Sequence, residues 1–173
     1  DKKTHIGPQT SAEQLAKTES YIALGKKEGA RLIAGGGRPK GFERGYYIER
    51  TVFADVDNRS RLAQEEIFGP VLAAIPFDTE EEVLRLANDV NYGLVAGLWT
   101  SDVSRAHRVA GQLEAGLVTV NTFRSTHWML PYGGYKLSGI GRENGLEALH
   151  AFTELKTIVV DFEANAAPDP FGD

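Results

Sequence analysis

The stretch 71–121 constrains the fold more than any other part of the chain, because three apolar runs alternate there with two segments of helical period. Val71-Leu72-Ala73-Ala74-Ile75-Pro76-Phe77 is nearly unbroken in its apolarity, as expected of a strand covered on both faces, with Pro76 near the end where no ladder donor is needed. Thr79 followed three residues later by Glu82 makes a capping box, and Val83, Leu86, Ala87 and Val90 then recur at helical spacing. Residues 94–99 form the second run. Ser101 or Asp102 can cap the next helix, whose buried stripe is Val103, Ala106, Val109, Ala110 and Leu113, and Gly116 closes it before the third run at 117–120. Three buried strands joined by two helices predict an α/β fold, a parallel sheet with right-handed βαβ crossovers.

Ligands of open α/β sheets gather outside the carboxyl ends of the strands, which here are Asp78, Thr100 and Asn121. Asn121 opens the loop 122–136, where Phe123, His127, Trp128 and Tyr132 give an unusual density of large side chains for a surface connection. A pocket wall is the expectation. Ahead of the first run, Gln64-Glu65-Glu66-Ile67-Phe68-Gly69-Pro70-Val71 sets two carboxylates and an aromatic ring on a tight turn, the geometry of a ligand-facing loop.

The flanks are simpler. Residues 11–29 read as a helix with Leu15 and Ile22 one heptad apart and Gly29 placed to stop it, 31–34 as a short strand, and 46–56 as extended structure. Residues 146–152 suggest a short helix and 155–162 a final strand that pairs with a distant segment or another subunit. The small, acidic, Pro-containing tail 164–173 is expected to be disordered.

A net charge of −5 without a long basic run argues against nucleic acid as a partner. No stretch approaches the roughly 20 apolar residues of a membrane helix, and no signal-like segment follows Asp1, so a soluble, cytoplasmic chain is expected. With no cysteine, disulfides, thiolate metal sites and any thiol nucleophile are excluded within this polypeptide. His5, His107, His127 and His150 lack the spacing of a helical metal pair, so no metal is expected. Gly139, Gly141 and Gly145 have the wrong spacing for a dinucleotide fingerprint.

Gln64 to Val71, Asn121 at a strand end, Pro131-Tyr132-Gly133-Gly134-Tyr135-Lys136-Leu137-Ser138-Gly139 and Gly141-Arg142-Glu143 together resemble the aldehyde dehydrogenase superfamily in order and spacing. The resemblance covers residues 7–162 and implies the C-terminal portion of an aldehyde dehydrogenase-like catalytic domain. It divides the chain into a partial catalytic domain at 1–152, an oligomerisation strand at 153–163 and the tail. The family's cofactor domain, catalytic cysteine, general-base glutamate and oxyanion-hole asparagine would lie outside this sequence.

Residue by residue, the resemblance implies that Glu66 grips both hydroxyls of the nicotinamide ribose of NAD or NADP, and that Phe68 packs beside the nicotinamide. Gln14 approaches the same ribose. Phe123 and Tyr132 correspond to walls of the aldehyde tunnel, Tyr132 departing from the commoner phenylalanine, and Glu143 to a carboxylate that passes a proton out of the site. Residues 155–162 correspond to the strand that joins subunits into a homo-oligomer. Without the family motif, Glu66 reads as a solvated turn acid, Phe68 as a residue tucked under a loop, and Glu143 as a partner for Arg142.

The implied function is oxidation of an aldehyde to a carboxylic acid, with this chain alone inactive. The alternatives are a non-catalytic assembly or binding module and an acyl-forming reductase of the same superfamily.

Overall fold

In the computed structural model, residues 4–42, 44–123 and 125–162 are described. The Ser11 hydroxyl accepts the Gln14 backbone N–H at 3.1 Å and so starts α1 (Ala12–Lys27), which ends before Gly29 at φ +86°. Leu15, Thr18, Ile22 and Gly25 form its buried face. β1 (Arg31–Ala34) pairs antiparallel with β2 (Thr51–Ala54), and β2 pairs parallel with β3 (Val71–Ala73) across the short helix α2 (Arg61–Gln64). Ile22, Phe53, Val56, Leu62 and Ile67 pack together as the core between α1 and this sheet. Phe53 is fully buried, which is worth on the order of 2–3 kcal/mol in area removed from water.

The second half begins at Thr79, whose hydroxyl accepts the Glu82 N–H at 3.1 Å to cap α3 (Glu80–Asn88). The Glu82 carboxylate answers by accepting the Asp78 N–H at 2.9 Å, so the box closes one residue earlier than the motif alone implies. After β4 (Tyr92–Gly93) and β5 (Val95–Leu98), α4 (Val103–Gln112) is capped by Asp102, not Ser101, through the Ser104 and Arg105 N–H groups. β6 (Leu117–Val120) returns parallel to β5, which makes β5–α4–β6 a crossover unit, and β7 (Tyr135–Lys136) pairs antiparallel with β4. Glu80 takes both Arg105 and Arg108, tying the start of α3 to α4.

The chain is thus α/β, as the patterning predicts, but its parallel pairs do not form one sheet. β3 belongs to the sheet β1-β2-β3 and β5 pairs with β6, with no ladder between β3 and β5 among the described residues. The strand expected over 71–77 stops as a ladder at Ala73, although Ala74 still donates to Phe53. Its two-sided cover is also missing, since Leu72 is 60% exposed and Val95 and Trp99 are exposed as well. An apolar run encodes burial of a strand's faces; it does not encode which backbone lies at its edge.

Residues 146–152 form a short 3₁₀ helix. Residues 153–162 are exposed and carry no ladder among the described residues, and the tail 164–173 lies outside them. No described helix is long and apolar enough to cross a membrane.

Candidate functional site

Two carboxylates adjacent in sequence have opposite surroundings at the end of α2. Arg61 donates Nε and Nη2 to Glu65 at 2.8 Å each, and the Tyr21 hydroxyl donates to Glu65 Oε2 at 2.5 Å. These bonds, that of Arg61 first, hold the Glu65 carboxyl down at about 2, and the same contact raises the Tyr21 phenol above its usual range. Glu66, by contrast, is exposed and makes no hydrogen bond or ion pair among the described residues.

Glu66 lines a cleft of about 520 Å³ whose other walls include Val90, Tyr92, Leu94, Leu113, Leu137 and Ser138. Beyond it the chain turns sharply. Phe68 sits at φ +57° and is 72% exposed, and Lys17 Nζ lies over its ring, 5.9 Å from the centroid. The side-chain amide of Gln14 holds this turn, donating to the carbonyls of Ile67 and Phe68 at 2.9 Å each. Gly69 is required there because a Cβ would overlap the buried Thr18 side chain of α1. Glu66, Phe68 and Gln14 therefore come together, with the Gln14 amide engaged by the loop backbone.

The aromatic loop is anchored at both ends. Asn121, at φ +55°, exchanges a pair of 2.8 Å hydrogen bonds with the Thr100 backbone, so the carboxyl ends of β5 and β6 are clasped. At the far end, Lys136 Nζ donates to the Asn88 and Val90 carbonyls at 2.6 and 3.0 Å and pairs with Glu114 at 2.6 Å. Between these anchors Phe123 is 70% exposed and Trp128 is exposed, with the His127 and Trp128 rings in contact at 5.4 Å. Tyr132 is half-buried and exchanges both backbone hydrogen bonds with Glu143 at 2.7 Å, which sets those two residues side by side. Arg142 does not pair with Glu143; it donates to the Gly134 and Gly141 carbonyls and lies over the Tyr135 ring.

The anticipated residues thus form two groups, Gln14–Glu66–Phe68 and Tyr132–Glu143, with Phe123 on the loop that precedes Tyr132. The cleft beside Glu66 reaches Leu137 and Ser138 but not Phe123 or Tyr132. Tyr21, Arg61 and Lys17 are contributors that sequence reasoning missed. Arg61 was accessible as an i,i+4 partner of Glu65. Tyr21 and Lys17 reach the turn from a distant helix, which no local spacing reveals.

The sequence profile of the aldehyde dehydrogenase family matches residues 1–158. The chain belongs to the aldehyde dehydrogenase family. A betaine aldehyde dehydrogenase of Brucella melitensis biotype 2 is 50% identical over 163 residues, covering 93% of this chain and 34% of the relative. The crystal structure of a Mycobacterium tuberculosis aldehyde dehydrogenase complexed with NAD+ superposes with TM-score 0.87 at 48% identity, over 93% of this chain and 33% of that one. The NAD+ complex of a Bacillus cereus aldehyde dehydrogenase gives 0.89 at 45% identity, over 94% and 33%. The chain therefore spans about a third of the length of these aldehyde dehydrogenases.

Proposed function

We propose that this chain is a portion of an NAD(P)-dependent aldehyde dehydrogenase that oxidises an aldehyde to a carboxylic acid. Its share of the work is the grip on the nicotinamide ribose, one wall of the substrate tunnel and an assembly strand. The observation that carries this reading is the Glu66 carboxylate, without a partner among the described residues, on a braced turn beside Phe68. An ionised carboxylate can accept two hydrogen bonds from a cis-diol at once, and neither Glu66 oxygen is engaged by a described residue, whereas Glu65 is taken up by Arg61 and Tyr21. The relatives from Mycobacterium tuberculosis and Bacillus cereus, both NAD+ complexes, support the cofactor class. When bound, the nicotinamide would supply the hydride acceptor.

The remaining roles belong to this chain's own side chains. Phe68 offers an open ring face to a flat ligand, and Gln14 keeps it there by holding its carbonyl. Phe123 and Tyr132 line the aldehyde's path and exclude water, with the Tyr132 hydroxyl available to the substrate. Glu143, fixed beside Tyr132 by the paired backbone bonds, relays a proton outward once a covering surface buries it, its carboxylate accepting the proton from the site and its carboxylic acid form releasing it to water. The nucleophile comes from outside this cysteine-free sequence. Residues 155–162, exposed and without a ladder partner among the described residues, add to a neighbouring subunit's sheet to form a homo-oligomer.

The test is Glu66→Gln in the full-length polypeptide carrying this sequence. Cofactor affinity should fall about 10-fold while the aldehyde KM stays put, the scale of one lost charge-assisted hydrogen bond. Unchanged cofactor affinity would overturn the reading.

A further inference from the structure

The turn that presents Glu66 is fastened on both flanks by one face of α1. Gln14 and Tyr21 are seven residues apart, two helical turns, so their side chains project to the same side. Gln14 holds the downstream flank through the Ile67 and Phe68 carbonyls. Tyr21 holds the upstream flank through Glu65 Oε2.

Arg61 also binds Glu65, but both residues belong to the same short segment and move as one. That pair stiffens the end of α2 without locating it relative to the rest of the protein. The Tyr21 hydroxyl does locate it, because its ring packs against the core around Phe53 and its bond runs to an ionised carboxylate. Glu65 ends α2 in extended conformation, φ −109° and ψ 146°, and Glu66 follows it directly; the buried Leu62 and the Gln64 amide, which donates to the Asn58 and Asp89 carbonyls, hold the helix before it, and Tyr21 holds Glu65 itself.

We propose that Tyr21 is a positioning residue for cofactor binding, acting through Glu65 to set the Glu66 carboxylate. The inference rests on the ribose-grip reading of Glu66 above. In the full-length polypeptide, Tyr21→Phe removes one hydroxyl and should weaken NAD binding about 3- to 10-fold at unchanged aldehyde KM. In a Glu65→Ala background, which leaves the Tyr21 hydroxyl no side-chain acceptor at that position, the further loss on Tyr21→Phe should shrink towards nothing, since the two groups act as one link.

Glu66→Gln runs in parallel as the control. If it weakens NAD binding and Tyr21→Phe does not, this inference falls alone, even where Tyr21→Phe lowers the melting temperature. If neither variant changes NAD affinity, the ribose-grip reading falls and takes the inference with it. Should Glu65→Ala fail to fold, hydrogen exchange in Tyr21→Phe alone decides: faster exchange confined to residues 64–71 supports the link, and unchanged exchange there overturns it.

Discussion

The side-chain amide of Gln14 lies 2.9 Å from the carbonyl oxygen of Phe68, 54 positions further along the chain, and donates equally to that of Ile67. One side chain on α1 thus satisfies two consecutive carbonyls of a turn whose second residue has left-handed backbone geometry. Gln14→Met keeps the approximate volume and removes both bonds. It should cost about 1–3 kcal/mol, seen as a lower urea midpoint at unchanged slope.

Gly69 faces the buried Thr18, and any Cβ there meets its side chain. Gly69→Ala should destabilise by about 1–3 kcal/mol through overpacking, and Thr18→Ala in the same background should recover part of that loss. Additive effects in a thermal-melt cycle would show that the two residues are not in conflict.

Glu65 carries the pH dependence. Its carboxyl, normally near 4.5, is held at about 2 by Arg61 and then Tyr21. A depressed carboxylate stabilises the fold above its unfolded value, and that contribution is lost as pH falls from about 4.5 towards about 2. The side chain is 39% exposed, so salt should weaken the effect. Glu65→Gln should therefore flatten stability against pH in this acid window at low ionic strength and leave the neutral region's slope alone. An unaltered acid limb would contradict the assignment.

Asn121 clasps Thr100 through two bonds of 2.8 Å while sitting at positive φ. Asn121→Ala loses both bonds and keeps the strained backbone, a cost of about 2 kcal/mol. The loss should appear first as faster hydrogen exchange at the ends of β5 and β6.

The purified 173-residue chain should form no NADH from any aldehyde, because it contains no cysteine. Turnover that survives removal of contaminating enzyme would refute the placement of the nucleophile elsewhere.

Local signals were legible where the physics is local. The helix beginning near Ser11, the Gly29 stop, β1 at Arg31–Ala34 and the Thr79 half of the capping box depend largely on neighbours within a turn or so, and the structure has them. Less accessible were the burial and the arrangement of ladders: the apolar runs at β3 and β5 suggest strands covered on both faces, yet Leu72 and Val95 are exposed, and strand order depends on backbones far away in sequence. The same limit applies at the site. Glu65 and Glu66 look alike as letters; the i,i+4 spacing of Arg61 and Glu65 hints at the difference, and the approach of Tyr21 from 44 positions upstream, which no local spacing shows, completes it.

The loop that starts after Asn121 and ends at Lys136 has its two feet bolted down, one to Thr100 and the other to the carbonyls at the end of α3. What stands between the bolts is fastened again further along, where Tyr132 meets Glu143 and the Gly145 N–H reaches the Trp128 carbonyl. On the tunnel reading proposed above, an engineer wishing to alter which molecules enter should rewrite residues 123–130 and leave every fastener untouched.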